Sequence, residues 1–190
     1  MVIRPRHTRH ILSPHVVRAL LWLFFATLSA ILMLQLRGFD SALRIEGAPG
    51  GIVGYELAWS AARASTYLST WDAASVLETA KVSLGVDFVF LIAYPLMFYT
   101  GAALLLRTPP TGGFDRFGAV ARRAVLLCIP LDAAENLLLW RMIDHGASDT
   151  LAHLATICAS IKFLMVLVVA LWCLAAVVRR LTTRSGVRAT

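Results

Sequence analysis

Residues Ala119–Ile143 read AVARRAVLLCIPLDAAENLLLWRMI, and the reading of this stretch as a membrane crossing completes the count of spans. Its length is sufficient, because a hydrocarbon core is crossed by about 20 apolar residues in helical form. Its composition is less clear. Asp132 and Glu135 interrupt the apolar run, and Pro130 stands in the middle of it. The rest of the chain supplies the context that settles the reading.

Hydrophobic residues make up 58% of the 190 positions and charged residues 15%, with a mean hydropathy of +0.72. Soluble domains run at about 45–50% apolar and about 25% charged, so a membrane protein is the expectation. Three further segments can span. The first covers about 17–36, with the charge-free run Ala19–Leu36 between Arg18 and Arg37. This run is longer than a signal-peptide core of about 7 to 15 residues, and no clear A-x-A cleavage site follows it. The second covers about 82–106. It carries one charge, Asp87, has Pro95 as an expected kink, and ends in Thr108-Pro109-Pro110-Thr111-Gly112-Gly113. The last covers about 151–178, with Lys162 inside and Arg179-Arg180 at its end. Together with 119–143 these predict an all-α, polytopic fold, a four-helix transmembrane bundle formed as one membrane domain over 1–190.

Lys and Arg concentrate in cytoplasmic flanks. One side collects twelve: Arg4, Arg6, Arg9, Arg18, Arg107, Arg116, Arg122, Arg123, Arg179, Arg180, Arg184 and Arg188. The other has five, Arg37, Arg44, Arg63, Lys81 and Arg141, in company with Asp40, Glu46, Glu56, Asp72, Glu78, Asp144 and Asp149. Four crossings place both termini on the first side, the cytoplasm of a bacterial inner membrane. The basic residues flank apolar segments and form no stripe with aromatics, so nucleic acid is not an expected partner. Membrane lipids, other membrane proteins or a second copy of the chain are.

The 37–81 connection is broken at Gly47-Ala48-Pro49-Gly50-Gly51. Beyond it, Tyr55–Leu68 has Leu57, Ala61, Ala64 and Leu68 at helical spacing, and Trp59, Tyr67 and Trp71 suit an extracytoplasmic helix lying at the interface. From Asp72 onward no breaker precedes Gly85, which predicts that the second span starts outside the membrane. This helix is either a flap or a lid over a ligand site.

An ionisable group deep in a membrane costs a few kcal/mol, so such groups face the bundle interior and pair. Asp87, Asp132, Glu135 and Lys162 are of this kind, with Asn136 beside them. Asp132, Glu135 and Asn136 stand at i, i+3 and i+4 on one helix face, and Tyr94 shares a face with Asp87. At about 1.5 Å per residue, Asp132 and Lys162 fall about 14 Å below the outer surface, and all four charged groups lie in the outer half. Three acids and one base leave a formal charge of −2, to be balanced by protons, a cation or a ligand. The candidate catalytic acids or bases are Asp87, Asp132 and Glu135. The candidate ligand-binding set is Asp87, Tyr94, Asp132, Glu135, Asn136 and Lys162.

Other residues carry less. Cys128, Cys158 and Cys173 lie in apolar segments without CxxC or Cys/His spacing and read as free thiols. His7, His10 and His15 belong to a basic tail, and His145 and His153 to the outer surface. No HExxH, Gly-rich phosphate loop or GxSxG occurs, and no cofactor or metal site is expected. The two halves share no motif, so an inverted-repeat transporter is not indicated.

Four pieces of the chain occur in a familiar order: Tyr55-Glu56-Leu57-Ala58 with Trp71 beyond it, Gly85-Val86-Asp87-Phe88-Val89-Phe90-Leu91 with Tyr94-Pro95, Pro130-Leu131-Asp132-Ala133-Ala134-Glu135-Asn136-Leu137, and Lys162-Phe163. In this order the chain resembles a family of small, uncharacterised bacterial four-helix integral membrane proteins, the Asp-x-x-Glu-Asn segment of the third helix being the most specific match. The resemblance implies a hydrophobic four-helix fold and a common role for these residues, and it brings no known activity. Three functions are open: a protein binding a lipid-like ligand, small hydrophobic ligand or cation in the polar pocket; a membrane-embedded enzyme with a carboxyl as general acid or base and Lys162 as electrostatic stabiliser; and an accessory or scaffold subunit with a purely structural polar network.

Overall fold

A computed structural model describes residues 13–106 and 109–187, with side chains as far as 182. Arg4, Arg6, His7, Arg9, His10, Arg107, Thr108 and Arg188 lie outside the described residues, as does the side chain of Arg184. The fold is all-helical, 86% helix, with no strand among the described residues. Its helices are α1 (Pro14–Leu43), α2 (Gly51–Glu56), α3 (Ala61–Ala73), α4 (Leu77–Leu105), α5 (Gly113–Ala124), α6 (Cys128–His145) and α7 (Asp149–Val187). Three are long and apolar enough to cross a membrane: α1, α4 and the Asp149–Thr182 part of α7.

The expected continuous helix over 119–143 is divided. It consists of the end of α5, a 3₁₀ turn at Val125–Leu127, and α6. Pro130 accounts for the break: it has no N–H for the Leu126 carbonyl, and its ring crowds that carbonyl, so the preceding turn tightens. The other boundaries lie further out than the apolar runs. Ser13 caps α1 by accepting from the Val16 N–H at 3.4 Å, and Pro14 fills the first turn. At the far end Asp40 and Arg44, paired at 2.7 Å one turn apart, carry α1 beyond Arg37. Arg179 and Arg180 do not end α7. Arg180 instead donates to the carbonyls of Leu104 and Leu105, both at 2.9 Å, at the end of α4.

That contact sets the end of α7 beside the end of α4, so the two helices run parallel. Trp22, early in α1, packs on Gly101, late in α4, and Lys81, early in α4, reaches Asp144, late in α6, at 3.1 Å. Both α1 and α6 are therefore antiparallel to α4. Helix α1 packs along α4 and α6 along α7, with α4 touching both α6 and α7, whereas α1 and α7 scarcely meet.

The 37–81 connection also departs from expectation. The expected helix Tyr55–Leu68 is two helices, separated at Leu57–Ser60, where Trp59 takes a positive φ of 53° and Ser60 caps α3 by accepting from the Arg63 N–H at 3.3 Å. Helix α4 does not run on from Asp72. Ser75, at φ 58°, turns the chain between α3 and α4; serine gives no glycine-like signal for this conformation. Of the three aromatic residues expected at an interface, only Trp59 is exposed. Tyr67 and Trp71 turn inward to form a cluster with Tyr55, the ring centroids 5.3–6.3 Å apart. The Trp71 indole N–H donates to the last α1 residue, Leu43, at 2.9 Å. Helix α3 is thus docked on one end of the bundle by buried rings, of which Trp71 keeps its indole N–H satisfied.

Candidate functional site

Helix α6 presents Asp132, Glu135 and Asn136 to the interior, each no more than 1% exposed. Their i, i+3, i+4 spacing makes this possible on a single face. Lys162 of α7 reaches across, its Nζ 2.8 Å from Asp132 Oδ1 and 2.8 Å from Glu135 Oε2. Tyr94 of α4 donates its hydroxyl to Asp132 Oδ2 at 3.0 Å. Asn136 Nδ2 donates to Asp87 Oδ2, also on α4, at 2.7 Å. All six residues singled out from the sequence lie in this one cluster, contributed by α4, α6 and α7.

A seventh residue, Glu56, joins them from α2. Its carboxyl interacts with Lys162, Asp87 and Asp132 and comes within hydrogen-bonding reach of Glu135. By its place in the sequence Glu56 falls among the acids of the outer connection. Its signal was there: Glu56 is the single charged residue between Glu46 and Arg63. Burial pushes its carboxyl up to about 7, Lys162 opposing the rise and Asp87 and Asp132 adding to it.

Helix α2 is short, and its position is fixed from outside. Asp40 Oδ1 of α1 accepts the Ile52 N–H at 2.9 Å and so caps its first turn. The Tyr55 hydroxyl donates to the Leu139 carbonyl of α6 at 3.1 Å. Thr156 of α7 donates to the Glu56 carbonyl at 3.0 Å and accepts from the Trp59 N–H at 3.1 Å. Gly54 packs directly on the Tyr67 hydroxyl, and Gly51, at φ 56°, sits against Asp40, where a Cβ would have no room. The glycines expected only to break the chain also allow α2 to wedge between α1, α6 and α7.

Beside the cluster lies a cavity of about 640 Å³. Helix α1 contributes Ser29, Met33 and Asp40 to its wall, α2 Val53 and Glu56, α4 Asp87, Phe90 and Phe98, and α7 Lys162 and Val166. Most of the lining is apolar, with the charged groups grouped where α2 closes the space. The cavity occupies the gap left where α1 and α7 fail to meet.

Of the cluster's donors, Lys162 gives two of its three N–H groups to acids, Tyr94 gives its hydroxyl to Asp132, and Asn136 Nδ2 gives one of its two N–H groups to Asp87. Acceptors remain. Among the described residues Glu135 Oε1 and Asn136 Oδ1 are buried without a donor. No three His, Cys, Asp or Glu among the described residues converge as ligands to a metal ion would. The arrangement can therefore hold a proton, orient a hydrogen-bonding group or stabilise positive charge at the inner end of an apolar space.

The remaining candidates stand apart. His153 packs edge-on against Trp59 at 4.7 Å, His145 and His15 are exposed, and Cys128, Cys158 and Cys173 are free thiols. Comparison with protein-family models, with curated proteins and with solved structures finds no match to this chain.

Proposed function

We propose that the chain is a four-span protein of a bacterial inner membrane, with both termini cytoplasmic, whose cavity binds a lipid-like or other amphiphilic small molecule. The fourth crossing follows from helix direction: if parallel α4 and α7 both cross, the chain between them must return, and α6 is the returning segment. Its 18 residues extend about 27 Å, close to the thickness of a hydrocarbon core. Helices α2 and α3 then lie on the outer side, α2 roofing the cavity.

One observation carries the binding reading. A space of about 640 Å³ has the size of a small-molecule site, apolar walls with a few convergent polar groups, and it opens at the gap between α1 and α7. Within a bilayer that gap faces lipid, so a membrane-dissolved ligand enters sideways with its polar end toward Asp87 and Glu56. Purified protein is expected to carry a stoichiometric extractable amphiphile, detected by mass spectrometry. Val166→Trp, which projects an indole from the wall into the cavity, is expected to reduce that co-purification strongly while the protein still folds. Equal recovery of the amphiphile from both proteins would sink the proposal.

A second reading, an enzyme acting on a membrane-soluble substrate, draws on the Asp87–Asn136 hydrogen bond of 2.7 Å. It orients a carboxylate that lines the cavity and leaves its other oxygen available as a general base, with Lys162 as an electrostatic stabiliser.

A further inference from the structure

The chemistry of the ligand's polar end can be taken further, on the footing of the binding reading above. Four carboxyls, those of Glu56, Asp87, Asp132 and Glu135, meet a single ammonium, Lys162, a formal charge of −3 if all ionise. Lys162 is already spent on Asp132 and Glu135, which leaves Glu56 and Asp87 without a cationic partner within ion-pair distance among the described residues. Both of them line the cavity.

The hydrogen-bonding balance has the same sign. Beyond one N–H each on Lys162 and Asn136 Nδ2, the unmet groups of the cluster are acceptors: Glu135 Oε1, which the Glu56 carboxyl can reach when protonated, and Asn136 Oδ1, both on residues no more than 1% exposed that stand outside the cavity wall. The carboxylates of Glu56 and Asp87 in the cavity wall therefore favour a group that brings an N–H donor and positive charge together. A metal ion would need three or more of these ligands to converge, and they do not. Exposed Arg37 also lines the cavity, so an anionic head would meet one exposed cation there against the carboxylates of Asp40, Glu56, Asp87 and Asp132.

The cavity walls complete the description. Phe90 lines the space one turn from Asp87, and Met97, Phe98 and Val166 extend the apolar surface further along. Aromatic faces near a cation add attraction.

We propose that the ligand is a lipophilic amine: a molecule with a protonated, N–H-bearing nitrogen seated between Asp87 and Glu56 and an apolar body lying along Phe90, Phe98 and Val166.

Three probes of equal chain length test this on the full-length protein in neutral detergent: dodecylamine, dodecanol and dodecanoate, with binding followed by isothermal titration. The amine is expected to bind about tenfold more tightly than the alcohol, as one charge-assisted hydrogen bond would give, and dodecanoate most weakly. Asp87→Asn should remove that preference, bringing the amine's affinity down to about that of dodecanol. If Asp87→Asn does not fold, Glu56→Gln is read in the same way. Should amine and alcohol bind equally, or dodecanoate bind best, with all binding strongly weakened by Val166→Trp, the amine assignment falls and the amphiphile reading stands. If no probe is affected by Val166→Trp, both fall.

Discussion

Lys162 holds two carboxyls at once, 2.8 Å from each, and its removal leaves Asp132 and Glu135 buried side by side without a counter-charge. Breaking a buried ion pair from one side costs about 3–5 kcal/mol. Lys162→Met is expected to lose stability on that scale, read as thermal unfolding in detergent, and the double variant Lys162→Met/Glu135→Gln to regain a substantial part of it. A double variant no more stable than the single one would show that charge balance is not what the cluster provides. At this scale the sequence was informative for a physical reason: charged side chains inside apolar runs have few ways to be accommodated, so Asp87, Asp132, Glu135 and Lys162 could be grouped from depth, while the acids that Lys162 pairs with could not be read. Glu56 escaped because it lies outside any apolar run long enough to span. It is brought to the cluster by a tertiary wedge that no periodicity encodes.

Among the elements, α2 depends most on a few backbone positions. Gly51 combines φ 56° with the close approach of Asp40, and the left-handed conformation costs a non-glycine residue about 1–2 kcal/mol before any clash. Gly51→Ala is expected to destabilise the protein by at least that amount, and displacement of Asp40 should loosen the cap on Ile52. Faster hydrogen exchange over 51–59 than in the unaltered protein is the measurement, and unchanged exchange there would remove the wedge's dependence on this glycine. The long helices α1, α4 and α7 were readable because apolar length alone identifies them. The divisions at Leu57–Ser60, Ala74–Val76 and Val125–Leu127 were not, since Trp59 and Ser75 take positive φ without glycine and the 3₁₀ turn registers only indirectly through Pro130. Tyr67 and Trp71 misled for a related reason: an aromatic residue beside a span suits a lipid interface and a protein core equally well, and only packing distinguishes them.

For the molecule as a whole, antiparallel α1 and parallel α4 and α7 put the start of α1 and the ends of α4 and α7 together. The exposed basic residues Arg18, Arg116 and Arg123 belong to that end. On the four-span reading a Cys placed at exposed Glu46 is expected to react with an impermeant thiol reagent in intact cells, and one at exposed Arg116 only after lysis. The reverse pattern would invert the topology. The ion pair between α6 and α7 also bears on how the protein is made. Each buried acid costs about 3 kcal/mol when its helix enters a bilayer alone, so α6, with Asp132 and Glu135 unaccompanied, is a poor candidate for independent insertion. Helix α7 is strongly apolar, follows after a short turn at Gly146, and carries the ammonium that meets both acids. On the four-span reading the pair is therefore suited to enter the bilayer together as a hairpin, with Lys162 as the escort of the least apolar crossing.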